Sequence, residues 1–393
     1  MLESFAPRIK QLMKMRKTGL VLAALFSSSV LIAQTSTQQQ TINNNTKDSL
    51  VKQPPKVVIA GLVITRFTQS FDPDIDINGR YHPEELGYST SSFTVRRARI
   101  QAKAQLNTRT EAALLLNLTD FIGNPAYKVV ENAFVKYHFN NYINLQVGQF
   151  RPYFGREDLY PEELLQTLEW TNQYYAFGAD GWQSFQVGTT FFGKADILKI
   201  PVSYYLGMFN GNGRNQPMDN DNGKLFPTRI ELGLRRRTKL GFNGGLGKDG
   251  GEKVWAYGVD IDHVEKLGKK WEIEIQAEYK RGNNNAQFDT SSERNKVMEE
   301  YQISGWYVLP NVRYYVNSSQ VRSIELSCRC ENLNCDYKRN GNSKQTIMPV
   351  ASVQLGDESF LRLEAGLIID RYSVTSNKDH DATRFVCQLK ARF

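Results

Sequence analysis

Residues 93–107, FTVRRARIQAKAQLN, set Arg97, Arg99, Gln101, Lys103 and Gln105 on one parity and Ala98, Ile100, Ala102, Ala104 and Leu106 on the other. Neighbouring side chains of a strand face opposite ways, so this stretch has one wet face and one apolar face. The division recurs along the chain. Trp271, Ile273, Ile275, Ala277 and Tyr279 alternate with Glu272, Glu274, Gln276, Glu278 and Lys280. Leu361, Leu363, Ala365 and Leu367 alternate with Arg362, Glu364 and Gly366, and Phe385, Cys387, Leu389, Ala391 and Phe393 alternate with Arg384, Val386, Gln388, Lys390 and Arg392. Shorter examples are Ala112, Leu114, Leu116 and Leu118, and Ile230, Leu232 and Leu234 set against Arg229, Glu231 and Arg235.

Candidate strands fall near 56–70, 90–106, 110–119, 128–140, 142–150, 183–192, 199–209, 227–236, 239–247, 254–263, 270–281, 297–309, 322–331, 346–355, 359–373 and 382–393, about sixteen in all. Gly-, Asn- and Asp-rich connectors separate them, some tight (107–109, 140–141) and some long (71–90, 151–182, 210–226, 282–296). Two architectures bury one face of such strands, a soluble sandwich or barrel and a transmembrane barrel. Composition and strand number discriminate between them. Hydrophobic residues are 40 % and mean hydropathy is −0.47, which is little for a thick dry interior. A ring of about sixteen strands is too wide to fill with wall side chains. Its apolar parity then belongs against lipid and its polar parity against water. A cation on the lipid face near the midplane costs roughly 2–4 kcal/mol, which enforces the parity. Tyr127, Tyr137, Tyr142, Tyr153, Tyr204, Tyr205, Trp271 and Tyr279 near strand ends suit interfacial girdles. The expected fold is an all-β transmembrane antiparallel barrel.

The N-terminus carries a leader. Met13-Lys14-Met15-Arg16-Lys17 precede an apolar run from Gly19 to Ala33 that is too short for a spanning helix, the pattern of a secretory signal cleaved after Ala33. Residues 1–33 are therefore read as an upstream start and signal peptide, 34–55 as a disordered polar lead-in closing in Pro54-Pro55, and 56–393 as the barrel. Residues 1–33 hold five of the 49 cations and one of the 41 anions, so the remainder carries +4 and gives no basis for a nucleic-acid partner. An exported barrel faces lipid in the outer membrane of a Gram-negative bacterium.

Four stretches resemble the phosphate-selective porin O and P family. These are FTVRRARIQAKAQL (93–106), VENAFVKYHFNNYINLQVGQFRPYFG (130–155), FNGNGRNQPMDNDNGK (209–224) and the terminal Phe393. The resemblance covers most of residues 90–393. It implies a sixteen-stranded porin, a homotrimer, with a long loop folded inward as a constriction, basic residues that bind anions, and a C-terminal Phe393 read by barrel-insertion machinery. By position the loop is 151–182, whose first candidates are Arg151, Arg156, Glu157 and Asp158. This chain departs from the family there, because 151–182 holds two Arg and no Lys against six carboxylates.

The basic residues with lumen parity are Arg97, Arg99, Lys103, Lys136, Arg229, Arg235 and Arg237, opposed by Glu272, Glu274, Glu278 and Glu364. Rings of charge at close quarters select ions. The expected function is thus passive diffusion of small solutes or ions through a water-filled channel with an anion preference. The alternative is a non-conducting receptor or adhesin that binds through its long loops. Neither reading needs a cofactor. Cys328 and Cys330 share the parity of Ile324 and Leu326, against a zinc site. Asp219, Asp221 and Asn222 suit Asx turns better than calcium, and 244–248 reads as a glycine-rich turn. Four histidines without a nucleophile motif give no enzyme, and His138 has no partner visible in the sequence.

Overall fold

The computed structural model describes residues 55–83, 87–121, 129–216, 218–235, 237–316, 318–339, 341–356, 360–374 and 379–393. The leader and nearly all of the lead-in lie outside them. Sixteen strands close into one barrel: β1 (Lys56–Ser70), β2 (Ser91–Gln105), β3 (Thr110–Asn117), β4 (Val130–His138), β5 (Asn144–Phe150), β6 (Gln186–Ile197), β7 (Ile200–Phe209), β8 (Leu225–Arg235), β9 (Thr238–Asp249), β10 (Glu252–Leu267), β11 (Trp271–Asn283), β12 (Gln302–Tyr315), β13 (Val321–Asn334), β14 (Ser343–Leu355), β15 (Phe360–Tyr372) and β16 (Ala382–Arg392). Every strand pairs antiparallel with its neighbours in sequence, and β1 closes on β16 from Leu62↔Arg392 to Ser70↔Arg384. The seam continues one residue further, where Gly61 N–H donates to Phe393 O at 2.7 Å and Phe393 N–H donates to Gly61 O at 3.1 Å. A closed ring satisfies its own backbone, which is the condition for strands to cross lipid.

The apolar parity lies outside. Ile100, Leu114, Val135, Ile230, Ile275, Ile324, Leu326 and Leu363 are all exposed, while Arg229, Glu278, Arg329 and Glu364 of the other parity are buried inside. In β2 the period is broken once: Ile64 pairs with Arg97 and Thr65 with Val95, so Arg96 is the extra residue of a bulge. Unbroken alternation would send Arg96 and Thr94 to lipid and Phe93 and Val95 to water. The bulge reverses the parity. Arg96 and Arg97 both turn inward, and Phe93 and Val95 stay exposed on the outside.

The hairpin ends are unequal. Short connections such as 106–109, 198–199 and 268–270 leave the strands at the end that also holds Lys56 and Arg392, and the strands joined by long ones (71–90, 118–129, 151–185, 284–301) meet them at the other end, where 250–251 is a tight turn. Outer-membrane barrels keep their short turns periplasmic, which orients this one. Two expectations need correction. Residues 244–248 are not a turn but the inner and outer faces of β9. Tyr153 and Tyr205 belong to no girdle, because their rings stack at 4.4 Å on the inner side. The inward-folded loop, by contrast, is present as expected and fills part of the interior.

That loop is 151–185, which carries helix α1 (Asn172–Ala179) and folds into the barrel. Phe154, Phe177 and Trp182 of the loop pack with Leu225, Val254, Ile303 and Leu333 of the wall in one apolar cluster. Leu168 joins Met348, Val350, Ile368 and Val386 in a second. Both clusters lie within the ring, on the side from β8 to β16.

Candidate functional site

The loop begins with a sharp reversal in Arg151-Pro152-Tyr153-Phe154-Gly155. Gly155 has φ +126°, a conformation open to glycine, and a Cβ there would meet Lys280 Nζ at 2.6 Å and Glu278 Oε1 at 2.7 Å. The chain thereby passes directly over the buried Lys280–Glu278 pair, whose N–O distance is 2.9 Å. Arg156 then donates its backbone N–H to Glu278 at 2.9 Å and pairs through its guanidinium with Asp262 of β10. Glu157 accepts from Thr171 N–H at 3.1 Å and Thr171 Oγ1 at 2.5 Å, which also fixes the start of α1. Asn172 N–H reaches Glu331 of β13 at 2.8 Å, and Arg329 Nη1 donates to Glu169 O at 2.6 Å. Opposite Trp182 the wall has Gly245, where a Cβ would come within 2.3 Å of the indole. Glycine on the inner face of β9 is thus the recess that admits the loop.

On the opposite side the loop touches the wall through carboxylates. Glu162 takes Arg97 Nε at 3.0 Å and also binds Arg99, which donates to Glu131 of β4 at 2.8 Å. Glu169 binds Arg96 twice, at 2.8 and 3.0 Å, and Arg66 of β1 at 2.6 Å. Glu163 meets Arg392 at 3.2 Å. Burial would push the Glu162 carboxyl upward, but Arg99 and Arg97 override it and hold it at about 2. Burial likewise opposes ionisation of Glu169, and Arg66 and Arg96 keep it well below the usual carboxylate range. Asp158 behaves differently. Its burial outweighs Arg151 and Lys280, and its carboxyl is pushed up to about 7.

The basic residues expected to line the pore divide into three groups. Arg97 and Arg99 face inward yet point at Glu162 rather than at free water, a correction to their expected solvation. Arg229 is fully buried and spent on Asp260 at 2.5 Å and Asn243 at 2.8 Å. Arg237 sits in the short turn after β8, 4.0 Å from Glu265, and the side chain of Arg235 lies outside the described residues. Lys103 and Lys136 alone of this set have no carboxylate within ion-pair reach among the described residues. Lys136 Nζ lies over the rings of Phe134 (5.2 Å) and Phe192 (5.6 Å). Of the loop candidates, Arg151 and Asp158 border open space, whereas Arg156 and Glu157 belong to the packed side. Arg66 and Arg96 went unnoticed in the sequence, Arg96 because only the bulge turns it inward.

Open space remains beside β1 to β7. One cavity of about 490 Å³ is bordered by Lys56, Lys103, Glu111 and Lys136, and another of about 590 Å³ by Arg99, Glu162, Trp170 and Tyr205; both include Gln101, Lys103, Asn132, Arg151, Tyr153 and Asp158. A third, of about 460 Å³, lies on the long-loop side, bordered by Arg66, Arg96, Glu169 and Asp370. Trp170 lines both the second and the third, with the Arg97–Glu162 contact beside it.

A charged, infolded third loop inside a sixteen-strand ring is porin architecture. Residues 67–230 match the family Phosphate-selective porin O and P. Over that stretch the chain is similar to that family, and the protein is an outer-membrane porin. The match ends within β8, short of the C-terminal strands where the resemblance was also read. In three dimensions the porin is similar to OmpT of Vibrio cholerae, described as a trimer form (12 % identity, TM-score 0.55, covering 87 % of this chain and all of that one). It is also similar to the outer membrane channel DcaP of Acinetobacter baumannii (10 %, 0.55, 90 % and 100 %) and to the anion-selective porin from Comamonas acidovorans (12 %, 0.51, 86 % and 100 %). These likenesses establish the shared fold. No curated protein matches. The porin resides in the outer membrane, with its barrel wall in lipid.

Proposed function

We propose that solutes cross this porin by one eccentric path, along β1 to β7 between the infolded loop and the wall, and that the path modestly prefers anions. The observation that carries this is the fate of the charges. The arginines of β2 are neutralised by Glu162 and Glu169, while Lys103 and Lys136 remain unpaired beside the two linked cavities. Positive side chains free of partners in a low-dielectric passage raise the local anion concentration. Committed arginines leave no dense basic ladder for phosphate, so we read a pore for small solutes and anions rather than a phosphate binder. The geometry supports a channel rather than an enzyme, with the loop carboxylates Glu162 and Glu169 committed to wall arginines. A homotrimer agrees with the trimeric Vibrio relative and with the short strands β3, β4 and β5. Phe393, exposed with its ring on Gly61, remains the candidate contact for insertion machinery.

A planar bilayer under a KCl gradient tests the reading, with a reversal potential of anion-selective sign expected. A cation-selective potential contradicts it. The loop's two apolar clusters favour a second reading, a plugged barrel acting as a receptor; a folded protein that passes no current selects it.

A further inference from the structure

A hydrated inorganic ion has no use for aromatic surface, yet the open side of the lumen is lined with rings. Arg151 sits 5.3 Å from the centre of the Trp170 ring and 5.4 Å from that of Phe185. Tyr153 follows, stacked on Tyr205, and Tyr205 lies 6.3 Å from Phe192 at an interplanar angle of 14°. Phe192 in turn meets Lys136. The file therefore runs from the loop's midpoint to the lysines near the periplasmic end, crossing β5, β6 and β7. Tyr153, Tyr205 and Phe192 are only partly buried, so each keeps surface for a ligand. Amide and hydroxyl groups accompany them, with Gln101 and Asn132 in both cavities.

We propose that this file of rings is a binding track for an acidic oligosaccharide, a short chain of pyranose rings bearing carboxylates. Pyranose C–H faces pack on aromatic surface, hydroxyls need amides, and carboxylates need the unpaired Lys103 and Lys136. A flat aromatic acid fits less well, because it needs an open slot between ring faces and Tyr153 and Tyr205 already cover one another at 4.4 Å. Two cavities of about 490 and 590 Å³ are each of ligand size, since small-molecule sites span roughly 300–1,000 Å³.

The inference uses the proposed path only for access, so binding and conduction are measured separately. Calorimetry on the detergent-solubilised porin uses digalacturonate as probe, with maltose and benzoate as comparisons. Digalacturonate is expected to bind best, and Tyr205→Ala to weaken it by about tenfold while Tyr205→Phe retains it. Lys136→Gln is expected to narrow the gap between digalacturonate and maltose. In bilayers digalacturonate should interrupt the chloride current. Absence of binding heat, benzoate binding as tightly, or a folded Tyr205→Ala that binds like the parent would overturn the proposal. A porin that binds digalacturonate but conducts nothing would support the track and remove the path.

Discussion

The two sides of this lumen begin alike and end differently. Strands β1 to β5 and strands β10 to β15 both turn polar parity inward, yet the first side borders water and the second is covered by a loop. On the covered side Glu278, Lys280, Arg329 and Glu364 are almost inaccessible, and Leu168 and Phe177 lie among them as in a soluble core. On the open side Lys103 and Gln105 remain exposed. Inward parity therefore means only that a residue avoids lipid. Whether it meets water depends on where the third loop docks, and the docking is written in glycines and in matched charges.

The comparison breaks most readily at Glu162. Replacing it by Gln leaves Arg97 and Arg99 with one carboxylate fewer in a site where Glu162 is 6 % exposed, and loss of one partner of a buried pair costs about 3–5 kcal/mol. Urea unfolding of the refolded variant should show that loss, and single-channel records should show a larger, noisier, more anion-selective pore as the loop loosens. Gly245→Val strikes the other side of the loop, forcing Trp182 from its recess at roughly 1–3 kcal/mol. It should lower the unfolding midpoint while leaving the Arg97–Glu162 contact and the sign of selectivity intact.

Acidity separates the sides in a different way. Glu162, held at about 2 against an ordinary 4.5, contributes stability that is complete above the ordinary value and disappears as pH falls from 4.5 toward 2. Asp158, raised to about 7 from 3.8, works in the opposite sense: it disfavours the folded state increasingly as pH rises from 3.8 to 7. Thermal unfolding should therefore be best in mildly acidic buffer and poorer at both extremes, and anion preference should strengthen as pH falls through neutrality and Asp158 loses its charge. The smallest effect on stability is expected from Lys103→Gln with Lys136→Gln, within about 0.5 kcal/mol because neither has an ion pair. Its reversal potential should nevertheless fall toward zero.

Much of the barrel was legible from alternation alone. The wet and apolar parities of β2, β11, β15 and β16 follow from the cost of a charge in lipid, and closure follows from strand number and the backbone's need for partners. The lipid-side placement of Cys328 and Cys330 and the Asx turns at Asp219 and Asp221 followed from the same reasoning, with Gly223 N–H donating to Asp221 at 2.8 Å. Three things resisted it. A bulge at Arg96 leaves no local mark, because Arg96-Arg97 is consistent with either register. Tyr153 and Tyr205 look like girdle residues until the loop turns the first inward. The arginine partners of Glu162 and Glu169 lie more than sixty residues away, and composition shows six acids in the loop without showing that wall arginines await them. A clue was present in Gly241, Gly244, Gly245 and Gly247, where a strand without side chains signals close approach by something else.

The central claim is that permeating solutes follow the β1 to β7 side. Single cysteines at Gln101, which borders both linked cavities, and at Gln276, buried under the loop against Tyr160 at 3.0 Å, test it directly in a background lacking the four native cysteines. A charged methanethiosulfonate reagent added during bilayer recording should step the current down in Gln101→Cys and leave Gln276→Cys unchanged. Block at 276 with none at 101 would place the passage on the other wall and contradict the account.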